Sequence, residues 1–168
     1  AAVIGSGPHT LAADQRPEWF WDQNRTGGIL VDIGSHQIDQ FIATIASGRD
    51  EMVRVTAAAV GNVSCPDRPA MQDIGAMTID APGVRGDHHV DYLTAAGLGR
   101  WGDVRLTIVG TEGTLESRAN IDVAGRPGGD HLLLVDATGA RRVGIDAVRV
   151  DWAELLVADI EDDGERLM

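Results

Sequence analysis

The sequence predicts an α+β fold with an open, mostly antiparallel β-sheet and helices packed on one face. Strand-like segments follow one another through short turns from residue 54 onward, whereas only residues 27–46 and 152–160 carry apolar residues at helical spacing. Strands joined by short turns pair antiparallel, because a parallel connection needs a longer crossover. Many strands and few helices, in separate stretches of the chain, are typical of the α+β class.

Size and composition favour one folded domain, 1–168. A chain of 168 residues can bury roughly 70% of its unfolded surface. The net charge of −12 comes without a basic cluster, which argues against nucleic acid as a partner. No apolar run is long enough to span a membrane. Cys65 is the only cysteine, which is consistent with a reducing compartment, and we expect a cytoplasmic protein.

The chain opens with a strand, Ala1 to Ile4, followed by Gly5, Ser6, Gly7 and Pro8. A dinucleotide-binding loop would need a helix to begin at once, so that the helix N-terminus could hold the pyrophosphate. Pro8 and a polar stretch follow instead, so we predict no cofactor-binding residue in this segment.

Residues 12–26 are predicted to form a loop that carries three consecutive aromatic residues, Trp19, Phe20 and Trp21. Aromatic rings of this kind can line a binding site or can fix a loop to the core. The sequence leaves both interpretations open.

The segment from about Gly27 to Ala46 is predicted to be one helix, ended by Gly48. The apolar residues that form one stripe of it are Leu30, Val31, Ile38, Phe41, Ile42 and Ile45. On the opposite side, Asp32, His36 and Asp39 are spaced i, i+4 and i+7, so their side chains are expected to stand above one another. Such a face either points catalytic side chains into a cleft or is a solvated polar surface.

Two glycines, Gly27 and Gly28, stand at the predicted start of this helix. Without side chains they are expected to leave backbone amides open to a ligand anion, an alkoxide or the edge of a cofactor, at the positive end of the helix.

The remaining elements are predicted to be strands and one last helix. The predicted strands are Arg54–Val63, Asp73–Ala81, His88–Ala96, Val104–Val109, Thr114–Ile121, His131–Asp136 and Arg142–Ile145. Turn signals stand at Pro82-Gly83 and Thr138-Gly139. Residues 152–160 are predicted to begin the last helix.

Two motifs resemble signatures of one enzyme family. The run Trp21-Asp22, followed by Gly27-Gly28-Ile29-Leu30-Val31-Asp32-Ile33-Gly34-Ser35-His36-Gln37-Ile38-Asp39, resembles the second-domain pattern of the Gfo/Idh/MocA oxidoreductases, W-D and then G-G-G-x-x-x-D-x-G-x-H-x-x-D. Thr26 replaces the first of the three glycines. The stretch from Ile108 to Glu116 resembles the later strand–turn–strand signature of that family.

The resemblance implies the substrate-binding and oligomerisation domain of an oxidoreductase that transfers hydride between NAD or NADP and a hydroxyl-bearing carbon of a sugar, polyol or related compound. It implies that His36 is the acid/base and that Asp32 orients either substrate or histidine. Trp21, Gly27, Gly28 and Asp39 would contact the substrate, and no metal is expected.

The family binds its nucleotide in a preceding Rossmann domain, which also supplies a lysine within an E-K-P motif. This chain contains neither a lysine nor that motif, and it shows no nucleotide-binding βαβ unit. We therefore expect the missing N-terminal domain to be a partner, this domain alone to be inactive, and the sheet to pair in a homo-oligomer.

Other interpretations remain. The chain begins within a strand and stops within a helix, which favours a domain truncated at both ends over a free-standing, sheet-mediated binding or assembly module. A metal-dependent isomerase or hydrolase that uses Asp32 and His36 would need further ligands that the sequence does not suggest.

Overall fold

The described residues form one eight-stranded open sheet with its helices on one face, which confirms the predicted fold class. The structure is a computed structural model and describes residues 1–46, 53–119, 130–144, 157, 158 and 160. The strand order is β2-β3-β4-β1-β5-β6-β7-β8. The strands are β1 Ala2–Pro8, β2 Arg54–Gly61, β3 Ile74–Ala81, β4 Val84–Asp91, β5 Arg105–Val109, β6 Gly113–Arg118, β7 His131–Asp136 and β8 Gly139–Val143.

Strand β1 joins the two halves of the sheet. It pairs parallel with β4 and antiparallel with β5, and every other pair in the described sheet is antiparallel. The crossover that a parallel pair requires is the long connection through the helices, β2 and β3. Strands β1 and β4 end side by side, where Pro8 pairs with Asp91.

Several predicted strand boundaries were wrong. Strand β1 continues through Gly5 and Gly7, and β4 begins at Val84 instead of His88 and ends at Asp91. Ala81 pairs with Val84, so Pro82 and Gly83 form a two-residue turn and β4 starts directly after it. In the same way Asp136 pairs with Gly139, so the hairpin turns at 137–138 and β8 begins at Gly139 instead of the predicted Arg142. The predicted end, Ile145, lies outside the described residues.

The predicted single helix over 27–46 is two short helices followed by a π-helical turn, and a further short helix precedes it. These elements are α1 Gln23–Thr26, which precedes the predicted helix, then α2 Ile29–Asp32, α3 Gly34–Phe41 and the turn Ile42–Ala46. Helix α1 ends at Gly27 with φ 75°, and Gly28 with φ 79° separates it from α2. Position 48 lies outside the described residues, and of the predicted last helix Val157, Ala158 and Ile160 are helical.

The break between α2 and α3 changes which side chains are buried. Val31 and Ile42 belong to the predicted apolar stripe but are 58% and 43% exposed, whereas Phe41 is fully buried. Leu30 and Ile38 are partly buried against the core, as predicted. The side chain of Ile45 lies outside the description. The stripe was wrong at Val31 and Ile42, because the segment does not keep one helical phase.

The core lies between the helices and the sheet in two clusters. One contains Phe20, Ile29, Ile33, Met71, Val90 and Tyr92. The other contains Val3, Phe41, Met77, Ile79 and Val84. The opposite face of the sheet leaves Ile4, Val109 and Val135 exposed. None of the described helices is long and apolar enough to cross a membrane.

Candidate functional site

A small cavity of about 20 Å³ lies between the helices, the 70–72 loop and the end of β4. Its walls contain three of the residues that the sequence motif pointed to, Trp21, Gly28 and Asp32. The other lining residues are Phe20, Gln23, Thr26, Ile29, Ala70, Met71, Gln72 and Tyr92. The cavity is large enough for about one water molecule or one hydroxyl group.

Asp32, at the end of α2, is held by Tyr92, which follows β4. The hydroxyl of Tyr92 donates a hydrogen bond to Oδ2 of Asp32. Tyr92 is only 4% exposed. Burial raises the pKa of Tyr92, and the hydrogen bond to the Asp32 carboxylate and its charge raise it further. Tyr92 therefore stays protonated and acts as a donor that fixes this carboxylate.

His36 and Asp39 lie on α3, outside the lining of the cavity. Both side chains are exposed. The imidazole of His36 makes no hydrogen bond with Asp32 within the described part of the chain, although the two residues are four apart, because the helix is interrupted at Ile33. The ring nitrogens of His36 thus face no competing partner among the described side chains.

The amides of Gly27 and Gly28 are bonded within the chain, so the expectation that they stay open to a ligand was wrong. The Gly27 amide donates to the carbonyl oxygen of Gln23 at 2.8 Å. The Gly28 amide donates to Oγ1 of Thr26 at 3.2 Å. Thr26, which replaces the first glycine of the family motif, therefore ties the end of α1 to the start of α2.

Of the three consecutive aromatic residues, two serve the two functions that the sequence left open. Phe20 is buried and packs edge-on against Tyr92, with ring centroids 5.8 Å apart. Trp21 lines the cavity, and the guanidinium of Arg68 lies over its ring, 4.0 Å from the ring centroid. Trp19 is exposed. The loop is thus fixed by Phe20 and presents Trp21.

The loop that closes the cavity is anchored by a buried carboxylate, Asp73. It accepts hydrogen bonds from the amide of Val63 at 2.7 Å and from the amide and hydroxyl of Ser64, both at 2.6 Å. Burial alone would raise the pKa of Asp73, but these hydrogen bonds lower it below the ordinary value of 3.8. The anchored loop carries Met71 and Gln72 to the cavity.

The described residues offer no metal centre, and the glycines of β1 form no cradle for dinucleotide phosphates. No group of three or more His, Cys, Asp or Glu side chains among them is arranged to hold a metal. Gly5 and Gly7 belong to β1, inside the sheet, and a side-chain carbon at Gly5 would come within 2.3 Å of Nδ1 of His88. A phosphate cannot enter there.

Residues 3–116 match the family model of the GFO/IDH/MocA C-terminal domain. The match covers more than half of the chain and includes both motifs. This chain belongs to the GFO/IDH/MocA family. No protein of curated function matches it.

Solved structures share the fold of this GFO/IDH/MocA domain. A protein from Erwinia carotovora atroseptica SCRI1043, classed as an oxidoreductase, is 33% identical with a TM-score of 0.89, over 99% of this chain and 49% of that chain. A protein of the same class from Thermotoga maritima is 20% identical, with a TM-score of 0.80, over 97% and 45% of the two chains.

A third structure is an oxidoreductase from Agrobacterium radiobacter in complex with NAD+, L-tartaric acid and magnesium. It is 18% identical, with a TM-score of 0.62, over 98% of this chain and 47% of that chain. The chain therefore spans about half the length of the solved structures it matches.

Sequence reasoning missed Tyr92, Gln72 and Met71 as parts of this GFO/IDH/MocA site. Tyr92 is the only tyrosine of the chain, but it lay inside the predicted strand His88–Ala96, and the end of β4 at Asp91 that brings it to the cavity is seen only in the structure. Gln72 and Met71 follow a loop without a motif, and nothing in the sequence alone connects them with Asp32.

The backbone at Gly28 predicts a large loss of stability on substitution. Gly28 has φ 79°, and a side-chain carbon there would lie 2.1 Å from Oε1 of Gln72. Gly28→Ala should lower the free energy of unfolding by roughly 1–3 kcal/mol, because φ 79° with ψ −179° is a backbone conformation almost confined to glycine and the end of the Gln72 side chain must also move. Gly83→Ala is the comparison, because Gly83 also has a positive φ of 74° but has nothing within 4 Å, and it should cost about 1 kcal/mol. A loss at Gly28 no larger than that at Gly83 in denaturant unfolding would contradict this prediction.

The Asp73 anchor predicts a pH dependence of stability. Because the pKa of Asp73 is lower in the folded than in the unfolded chain, its stabilisation is present above about pH 3.8 and is lost as the pH falls through the folded value. Asp73→Asn should cost about 2 kcal/mol at neutral pH and should flatten the acid part of the stability curve.

Ser64→Ala is the comparison for this anchor. It removes one hydrogen bond that lowers the pKa of Asp73, so the acid loss of stability should be smaller than in the wild type and should end at a higher pH. Urea unfolding across the acid range measures all three curves, and parallel curves for the wild type and Asp73→Asn would contradict the assignment.

Proposed function

We propose that this chain is the substrate-binding and oligomerisation domain of an NAD(P)-dependent oxidoreductase that acts on a hydroxyl group of a sugar, polyol or related compound. The observation that carries the proposal is the Asp32–Tyr92 pair at the cavity, with the exposed His36 on the next helix of the same family motif. The NAD+ in the Agrobacterium radiobacter relative supports the choice of cofactor.

The nucleotide phosphates are assigned to a separate N-terminal domain, as the family resemblance implies, and the Gly5–Gly7 segment lies inside the sheet, where a phosphate cannot enter. The matched structures are about twice as long as this chain, which leaves room for such a domain. This chain has no lysine, so the family's E-K-P lysine is assigned to that domain as well. We expect this domain alone to be inactive.

His36 is proposed to move the proton. When bound, NAD(P) supplies the hydride acceptor or donor. A hydroxyl group that loses hydride from its carbon must also lose its proton, and a neutral imidazole can accept that proton on one ring nitrogen near neutral pH. The exposed ring of His36 can be approached by a substrate, and no described side chain competes for it.

Asp32 is proposed to position the substrate, rather than to orient His36. Oδ2 accepts the bond from Tyr92, and Oδ1 has no hydrogen-bond partner within the described residues. That oxygen can accept a hydrogen bond from a substrate hydroxyl. Because Tyr92 stays protonated, it holds the carboxylate in place through the reaction.

The position of the cavity supports two of the four remaining proposed substrate contacts. Trp21 and Gly28 line the cavity, which favours them as substrate contacts. Gly27 and Asp39 do not line it, and their contacts with substrate stay predictions from the family motif.

The uncovered face of the sheet favours a second function, assembly. Ile4, Val109 and Val135 are exposed there, and a hydrophobic sheet face of this kind is stabilised by pairing with another copy. We propose a homo-oligomer through this face. If the complete protein assembles through this face but oxidises no hydroxyl compound, the oxidoreductase proposal fails and assembly is the function that remains.

The proposed acid/base predicts a loss of turnover in the complete protein. His36→Ala should lower kcat on the order of 100-fold or more, as is usual for groups of this kind. Ser35→Ala, an exposed neighbour on α3, is the control and should keep wild-type kcat. Steady-state formation of NAD(P)H measures both, and near-wild-type kcat in His36→Ala would remove His36 from the mechanism.

The positioning of Asp32 predicts a smaller effect at Tyr92. Tyr92→Phe removes one hydrogen bond to a carboxylate and keeps the buried ring, so kcat/KM should fall about tenfold while the thermal midpoint changes little. Unchanged kcat/KM in Tyr92→Phe would show that Asp32 needs no partner.

A further inference from the structure

A groove of about 460 Å³ adjoins the Asp32 cavity. Trp21 and Ala70 line both the groove and the cavity, so the two spaces share a wall. The other lining residues of the groove are Glu18, Trp19, Asp22, Arg25, Arg68 and Pro69. A ligand with one end at Asp32 can therefore extend into a space that contains two arginines.

Four of the described arginines are paired, whereas the two of the groove are not. Arg85, Arg105, Arg118 and Arg141 each pair with a carboxylate close by in sequence. Arg25 and Arg68 form no ion pair with any described carboxylate, although the protein carries a net charge of −12. Two unpaired guanidinium groups in one groove of an acidic protein are available to an anion.

The guanidinium of Arg68 is held in place by an aromatic ring. Its central carbon lies over the Trp21 ring, 4.0 Å from the ring centroid, a cation–π contact that restrains the side chain. The planar guanidinium offers N–H donors that match a carboxylate or a phosphate. The contact with Trp21 therefore keeps Arg68 beside the groove before a ligand arrives.

The two carboxylates that line the groove belong to Asp22 and Glu18, and they form no ion pair with these arginines. Oδ1 of Asp22 caps helix α1 by accepting a hydrogen bond from the amide of Asn24 at 3.0 Å. Glu18 is exposed, and neither carboxylate lies within ion-pair distance of Arg25 or Arg68.

We propose that Arg25 and Arg68 bind the oxoanion of the substrate, a carboxylate or a phosphate, while its hydroxyl group lies at Asp32. The assignment of the hydroxyl end rests on the proposed function, and the anion site rests on the groove alone. The substrate is then a sugar acid or other hydroxy acid, or a phosphorylated polyol, and not a neutral sugar.

Binding to the complete protein tests this proposal. Isothermal titration calorimetry at low ionic strength would compare D-gluconate, the neutral polyol sorbitol and inorganic phosphate. Gluconate, phosphate or both should bind with saturation and at least about tenfold more tightly than sorbitol. Gluconate alone would identify a carboxylate site, and phosphate alone would identify a phosphate site.

Variants of the two arginines locate the site. Arg68→Gln and Arg25→Gln should each weaken the anion about tenfold or more. Arg25→Gln leaves the Arg68–Trp21 stack intact, so it separates charge from packing. Arg142→Gln, on the far strand β8, is the control and should bind as the wild type does. Equal anion binding in the wild type and both groove variants, or no saturable binding of either anion, would overturn the proposal.

His36→Ala separates this inference from the proposed function. The variant should bind the anion as tightly as the wild type, because His36 does not line the groove. If it keeps its turnover while Arg68→Gln loses anion binding, the acid/base assignment fails and the anion site stands. If it loses turnover while Arg68→Gln binds normally, the anion site fails alone.

Discussion

The close packing of helix α3 on strands β1 and β4 fixes the geometry of the whole site. Gly5 and Gly86 leave room for it, since a side-chain carbon would come within 2.5 Å of Oε1 of Gln37 at Gly5 and within 2.8 Å of the Phe41 ring at Gly86. Gln37 and Phe41 of α3 fill the same space, and both are buried. Burial also lowers the pKa of His88, which keeps this ring neutral inside the core. Helix α3 thus lies almost on the backbone of the sheet.

This short distance between the helices and the sheet places the functional groups. Strand β4 ends next to α2, so Tyr92, which directly follows the strand, reaches Asp32 on that helix. The glycine turn at Gly27-Gly28 sets the start of α2, and the anchor at Asp73 brings Gln72 against that turn. A cavity wall made from three separate stretches of chain therefore depends on glycines that carry no functional group themselves.

The sequence predicted the class of the fold well and the local boundaries less well. Pro82-Gly83 marks its turn correctly because its backbone preferences are local. The start of β4 was misplaced because its buried face consists of Val84, Gly86, His88 and Val90, and two of these are not the apolar residues that an alternation pattern requires. The helix break at Ile33 was invisible for a related reason, since the apolar spacing continues across it.

The residues of the candidate site were also predicted only in part. Asp32, His36 and Trp21 could be found because they share a motif within nineteen residues. Tyr92 is 60 positions from Asp32, and Arg68 is brought to Trp21 by the anchored loop. Contacts of this range arise from the sheet order, which a single sequence does not contain. The residues that reach the candidate site from distant parts of the chain were therefore the ones missed.

The most direct measurement is a crystal structure of the complete protein with NAD(P) and a hydroxyl-bearing ligand. We predict that the nicotinamide ring and the ligand hydroxyl lie against the surface formed by Asp32, His36 and Trp21, with the hydroxyl within hydrogen-bond distance of His36 or Asp32. A nicotinamide ring against the opposite face of the sheet, or against a surface that contains none of these residues, would contradict the location of the site.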